Sequence, residues 1–289
     1  MDRANTSSNS PLRLIFAILL AFVLPLALGL YLAPRLIPAP QIGVIRLNYD
    51  IFDLTAREVV TQLEYAREEE SVRAVVFILN SPGGSATYSE ELFLNVLDTR
   101  REVPVVAAVD VVAASGAYYV AAAANEIYAK PTSAIGSIGV IGLLPGPIYL
   151  DDETLTTGPF KAFGATEDAM IRQAERSKFA FLEAIRSGRG DRLQVDLDVL
   201  ARGEIYNGLQ AVEMGLIDGI RSNAAVYERA ADLAGIADYE IVELYPLAVG
   251  EEGILNAAHL PPLDIERLWA PPTNYPPGLY YRYIQPQEP

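Results

Sequence analysis

The chain is polar through residue 11 and then turns apolar. From Leu14 to Ala33 every residue is apolar or small except Tyr31, with Pro25 inside the run and Pro34-Arg35 closing it. A helix needs roughly 20 apolar residues to cross a bilayer, and this run has that length. The apolar region of a secretory leader is shorter, about 7–15 residues, so a cleaved leader ending near Leu32-Ala33-Pro34 is the weaker reading. Beyond the run the pattern alternates between two periods. Gln41–Leu47 reads as a strand, and Leu54, Val59, Leu63 and Ala66 recur at helical spacing between 54 and 70. Residues 74–79 form a continuous, β-branched run, the mark of a strand covered on both faces. A helix over 88–101, a buried strand over 103–109 and an Ala-rich helix after Ser115-Gly116 follow, then a short strand over 126–129. Residues 131–141 are too rich in glycine for a helix. Residues 148–150 read as extended and 156–164 as a loop.

A long helix is expected from Thr166, a cap with Glu167 and Asp168 in its first turn, to residues 187–188. Shorter helices are expected over 195–202 and 208–214, the second capped by Asn207, and a helix over 223–235 precedes a last strand over 239–244. From Pro246 onward the chain is rich in proline and tyrosine and shows no period, which reads as a tail or arm. Strands alternating with helices predict an α/β layered fold with a largely parallel sheet. Four parts result: a polar tail (1–11), a transmembrane anchor (12–34), a main domain (41–245) and a C-terminal arm (246–289).

Composition narrows the chemistry. The 289 residues contain no cysteine and one histidine, His259, so a thiolate nucleophile, a disulfide framework and a His-rich metal site are excluded. A net charge of −15 argues against nucleic acid as a partner. Arg3 and Arg13 precede the apolar run and Arg35 follows it, a slight bias toward a cytoplasmic N-terminus with the main domain on the outer face.

Ser115 lies where a buried strand gives way to a helix, a junction that can hold a hydroxyl still beside the unpaired first amides of the helix. Taken alone it reads first as a helix N-cap, a role serine fills well. A second turn, Asn80-Ser81-Pro82-Gly83-Gly84, follows directly on a buried strand, where parallel sheets bind ligands; an ordinary tight turn is an equal reading of it. A nucleophilic serine needs a base. His259 stands in the tail, and lysine occurs only at 130, 161 and 178. Lys130 precedes a proline at a strand end and Lys178 lies mid-helix beside Arg176. Lys161 sits between Phe160 and Phe163 in a Gly-Pro-Phe-Lys-Ala-Phe-Gly loop, the most apolar setting of the three, and burial lowers a lysine pKa toward neutrality. Elimination points to Lys161.

Asn80-Ser-Pro-Gly-Gly84, Ala114-Ser-Gly-Ala-Tyr-Tyr119, Ile135-Gly-Ser-Ile-Gly-Val140, Gly158-Pro-Phe-Lys161 and the run from Gly203 to Asp218 resemble, in that order, the single-repeat form of signal peptide peptidase A. The likeness spans roughly residues 42–235, and several collinear motifs are far more specific than any one. It implies a Clp protease/crotonase-like fold, a membrane anchor, no cofactor, a dome-like homo-oligomer, and hydrolysis of remnant signal peptides. By the same resemblance Ser115 is the nucleophile, Lys161 the general base and Ser137 the serine that orients the lysine. The oxyanion hole falls on the amides of Gly83 and Gly116. Gly84, Ser85, Ile138 and Gly139 are expected along a substrate held as an added strand. Ala117 and Ala165-Thr166 depart from the family pattern without removing a catalytic atom. Three rival readings share these residues: a stomatin-operon type of membrane serine protease, a crotonase-like acyl-CoA enzyme, and an inactive membrane scaffold.

Overall fold

The computed structural model describes residues 15–16, 18–36, 38–143, 157–158, 160–161, 164–250 and 278–282. It divides into two compact units, Met1–Pro40 and Gln41–Pro289. In the first, a π-helical turn over Leu19–Val23 precedes α1 (Leu24–Leu36). Pro25 has no N–H to donate and its ring crowds the Ala21 carbonyl, and the turn before it widens, with Leu24 N–H bonding to Leu19 O. Among the described residues no helix is long and apolar enough to cross a membrane; α1 itself has 13 residues. The side chains of Phe16, Phe22 and Leu26 are exposed. The polar tail, residues 148–150 and His259 lie outside the described residues.

The second unit runs β1 (Gln41–Leu47), α2 (Asp53–Glu68), β2 (Val72–Ser81), β3 (Gly83–Ser85), α3 (Ala86–Glu102), β4 (Val105–Ala114), α4 (Gly116–Ala121), β5 (Glu126–Ala129), β6 (Ala134–Gly136) and β7 (Ile141–Leu143). It continues with α5 (Glu167–Arg189), α6 (Leu197–Leu200), β8 (Ile205–Asn207), α7 (Gly208–Glu213), β9 (Gly219–Ile220), α8 (Asn223–Ala234), β10 (Glu240–Glu243), α9 (Tyr245–Ala248) and β11 (Gly278–Arg282). Eight strands form the main sheet, in the order β10-β1-β2-β4-β5-β9, with β6 against β4 and β8 against β6. Every pair is parallel except β6–β8. The expected α/β layering is present.

Because neighbours on a strand face opposite ways, the apolar runs fill two cores. Ile45, Leu47, Val75, Phe77, Leu79, Val105, Ala107 and Val109 pack with residues of α2, α3, α4 and α5. Ile42, Val44, Ala74, Val76, Ile78, Val106 and Ala108 pack with Val226, Ala230 and Ala231 of α8. Strand β4 is longer than its apolar run because Asp110 does not end it: Lys130 Nζ and Asn223 Nδ2 both donate to its carboxylate. Its two halves have different partners, Val106–Val109 pairing with β5 and Val112–Ala114 with β6. The Ala-rich helix is short because Arg100 Nη1 donates to the carbonyls of Ala123 and Ala124 at 2.8 and 3.3 Å, ending it in a turn.

Thr166 and Asn207 cap α5 and α7 as expected, accepting from Ala169 N and Gln210 N. The C-terminal arm holds a strand that its missing period did not predict. β11 lies antiparallel between β3 and β7 in a second, three-stranded sheet.

Candidate active site

Three strands of the main sheet end side by side. Ser81 of β2 pairs with Ala113 of β4, and Ala114 pairs with Gly136 at the end of β6. Gly83-Gly84-Ser85, Ser115-Gly116 and Ser137 therefore emerge at the carboxyl ends of adjacent parallel strands, where open α/β sheets bind ligands.

Ser115 is held at φ 54, ψ −121, a conformation that side chains other than glycine rarely adopt. Its N–H donates to Gly136 O at 2.7 Å and its carbonyl accepts from Tyr119 N at 2.9 Å, so the backbone is fixed from both sides. The residue is 1% exposed, and its Oγ has no hydrogen-bond partner among the described residues. An N-cap serine would accept from an amide of the first turn, and Ser115 makes no such bond. The N-cap reading fails on that point. A buried hydroxyl without a partner costs about 1–3 kcal/mol, and a strained backbone adds about as much, so the arrangement is one the rest of the fold imposes. Below it, Tyr118 donates its hydroxyl to Leu216 O at 2.8 Å and Tyr119 packs between Phe93 and Phe181, which pins α4. Burial, helped by the charge of Glu90, pushes the Tyr119 hydroxyl up to about 12, so it stays neutral.

Ser137 shares the left-handed backbone at φ 53, and its N–H donates to Glu204 O at 2.8 Å. It is buried, as is Ile138, whose side chain belongs to the main core. Gly139 lies outside any strand. The next strand, β7, begins at Ile141.

On the other side, Gly83 has φ 96 and Gly84 meets the backbone of Ile51; a Cβ on Gly84 would stand 2.1 Å from Ile51 O. Ile51 N donates to Gly83 O and Ser85 N to Ile51 O, at 2.9 and 2.8 Å, which locks the turn in place. The amide of Gly83 donates to Ser81 Oγ at 3.2 Å. Ser81 and the buried, unpartnered Oδ1 of Asn80 had no role in the sequence reading beyond membership of the turn. The Gly116 amide is the first of α4 and has no intrahelical acceptor.

Of the lysines, Lys130 is engaged by Asp110, Asn223 and Val109 O, and Lys178 pairs with Glu175 at 2.6 Å. Lys161 lies in a turn, its N–H donating to Gly158 O at 3.2 Å, and no ion pair or hydrogen bond of its side chain is found among the described residues. Lys161 and Phe160 are both exposed, while Pro159, Ala162 and Phe163 of the same loop lie outside the described residues.

Residues 98–237, which span Ser115, Ser137 and Lys161, match the model of peptidase family S49. Over these residues the chain is similar to the S49 peptidases. Residues 40–136 also match the Clp protease model, in keeping with the parallel sheet and the serine at its edge. The chain is 30% identical over 203 residues to a candidate protease of Methanocaldococcus jannaschii, covering 65% of each chain. It is 30% identical over 200 residues to a candidate signal peptide peptidase of Enterococcus faecium, covering 64% of this chain and 58% of that one. Protease 4 of Salmonella typhi is 28% identical over 195 residues, 63% of this chain and 31% of its own length. The chain thus covers less than two thirds of the length of each of these relatives. Beyond the motifs, the matched region also contains a buried ion pair that sequence reasoning missed. Arg189, 1% exposed, donates to both carboxylate oxygens of Asp218 at 2.8 and 3.0 Å and to Gly215 O at 2.9 Å.

Proposed function

We propose that this protein is a membrane-anchored serine endopeptidase that cleaves apolar peptides, remnant signal peptides among them. The observation that carries the reading is the Ser115 hydroxyl, held buried without a partner on a strained strand–helix junction. Ser115 Oγ attacks the scissile carbonyl, and the amides of Gly116 and Gly83 hold the oxyanion. Lys161 takes the serine proton and returns it to the leaving amine, with Ser137 orienting the ammonium. A lysine accepts a proton only when neutral, and its ordinary pKa of about 10.4 must fall by burial. Since Lys161 is exposed in the single chain, the mechanism needs a cover over it, supplied by bound substrate or by a second copy. Phe160, Ile171 and Phe179 are exposed apolar side chains on the same loop and the first half of α5, which supports a homo-oligomer. The apolar run at 14–33 supports an anchor, with the catalytic domain on the outer face.

The test is hydrolysis of an apolar peptide by the full chain in detergent, beside Ser115→Ala and Lys161→Ala. Activity in the parent alone, rising with pH along a basic limb, is the expected result. Equal activity in Lys161→Ala removes the proposed base, and equal activity in Ser115→Ala removes the nucleophile.

A further inference from the structure

The three-stranded sheet places one segment of this chain in the position expected of a substrate. Tyr280, Tyr281 and Arg282 of β11 pair antiparallel with Ser85, Gly84 and Gly83 on one side. Gly278, Leu279 and Tyr280 pair antiparallel with Leu143, Gly142 and Ile141 on the other. β3 and β7 are three residues each and meet no other strand in that sheet, so β11 is what joins them. Its direction is specific: from Tyr280 to Arg282 the strand runs toward Gly83, in the turn after β2, whose neighbour β4 leads into Ser115. Its side chains are seated as well. Tyr280 is 8% exposed, and Leu279 packs against the main core with its Cδ2 3.7 Å from where a Gly142 Cβ would stand.

We infer that residues 278–282 are a built-in occupant of the peptide groove, a strand that closes the cleft between β3 and β7 until a substrate displaces it. This rests on the peptidase reading for its consequence, but not for the occupancy itself. The recognition is that of strand addition: backbone hydrogen bonds on both edges supply the affinity and are indifferent to sequence, while the partly buried Leu279 and the buried Tyr280 mark positions that select apolar residues. Any extended peptide with an apolar or aromatic pair in register competes for the same two edges. Being part of the same chain, the occupant competes at an effective concentration in the mM range, so a substrate binds with its affinity reduced by the fraction of open grooves. Four of residues 271–277 are proline, a composition that disfavours β pairing.

The test compares the full parent chain in detergent with the double variant Leu279→Asp/Tyr280→Asp, each also carrying Ser115→Ala for the exchange measurements. Amide hydrogen exchange at Gly84 and at 141–143 is expected to be slow in the parent and about tenfold faster or more in the variant, with β1 and β2 unchanged as the control for folding, as are the amides of Gly83 and Ser85, which bond to Ser81 and Ile51. A synthetic peptide of residues 277–285 restores slow exchange in the variant. In the Ser115 forms, the variant lowers KM for an apolar peptide by roughly tenfold at constant kcat, and the synthetic peptide inhibits competitively. Identical exchange in parent and variant overturns the inference. So does loss of the residues beyond 282 from the parent but not from its Ser115→Ala form, because the segment is then a substrate and not an occupant. Altered exchange with no hydrolysis by any form leaves the occupant standing and sinks the peptidase reading instead.

Discussion

At Ser115 the backbone sits where only glycine is at ease, and the side chain adds a buried hydroxyl with no partner. Ser115→Gly relieves both. The expected outcome is a gain of about 1–2 kcal/mol in thermal unfolding together with complete loss of hydrolysis, a trade-off that a serine with a merely structural role would not show. Asp218 behaves in the opposite way. Burial works against its charge, but the hydrogen bonds and charge of Arg189, the Ile127 amide and Arg192 outweigh burial and hold its pKa below the ordinary value. A carboxylate depressed in the folded state stabilises fully above its unfolded pKa of about 3.9 and loses that contribution as pH falls through the folded value. Unfolding midpoints should therefore drop steeply below about pH 4 in the parent and less steeply in Asp218→Asn. At neutral pH the same substitution leaves the Arg189 guanidinium buried beside a neutral amide and should cost about 3–5 kcal/mol.

At the scale of the element, Gly84 tests how the groove is built. A Cβ there meets the Ile51 carbonyl, backbone against backbone, so Gly84→Ala must push β3 away from its Ile51 bridge. Far-UV circular dichroism should be unchanged, since the main sheet does not depend on β3, while hydrolysis and binding of an added strand are lost. What the sequence made legible was whatever carries its own period. Residues 41–47 and 74–79 announce strands because they are packed on both faces, and Thr166 and Asn207 announce helix starts because capping is a local bond. β8, β9 and β11 are two to five residues long and exist through partners elsewhere in the chain, so no local pattern marks them. The site divides along the same line. Ser115 and the Asn80–Gly84 turn were legible from local turn chemistry, Ser137 and the choice of Gly83 only through the family resemblance, and the exposure of Lys161 was not legible at all.

Across the whole molecule, a charge of −15 sets like charges against one another. The exposed pairs Arg57–Asp53, Arg101–Asp98 and Arg172–Asp168 oppose this, but pairs of that kind contribute little. Screening should therefore favour the fold, and the unfolding midpoint should rise between about 0.05 and 0.5 M salt, where the Debye length shrinks below roughly 10 Å; a falling midpoint would mean that the surface pairs outweigh the net repulsion. The largest helix adds a mechanical consequence. The first fourteen residues of α5 contain no buried residue; burial begins at Phe181 and ends in the clamp of Arg189 on Asp218. A helix of 23 residues is about 34 Å long, so this is a lever fastened at one end, with Lys161 six residues beyond the other. The unburied arm before Phe181 is about 21 Å long, so a tilt of about 10° there sweeps its far tip through roughly 4 Å, more than half the length of a lysine side chain.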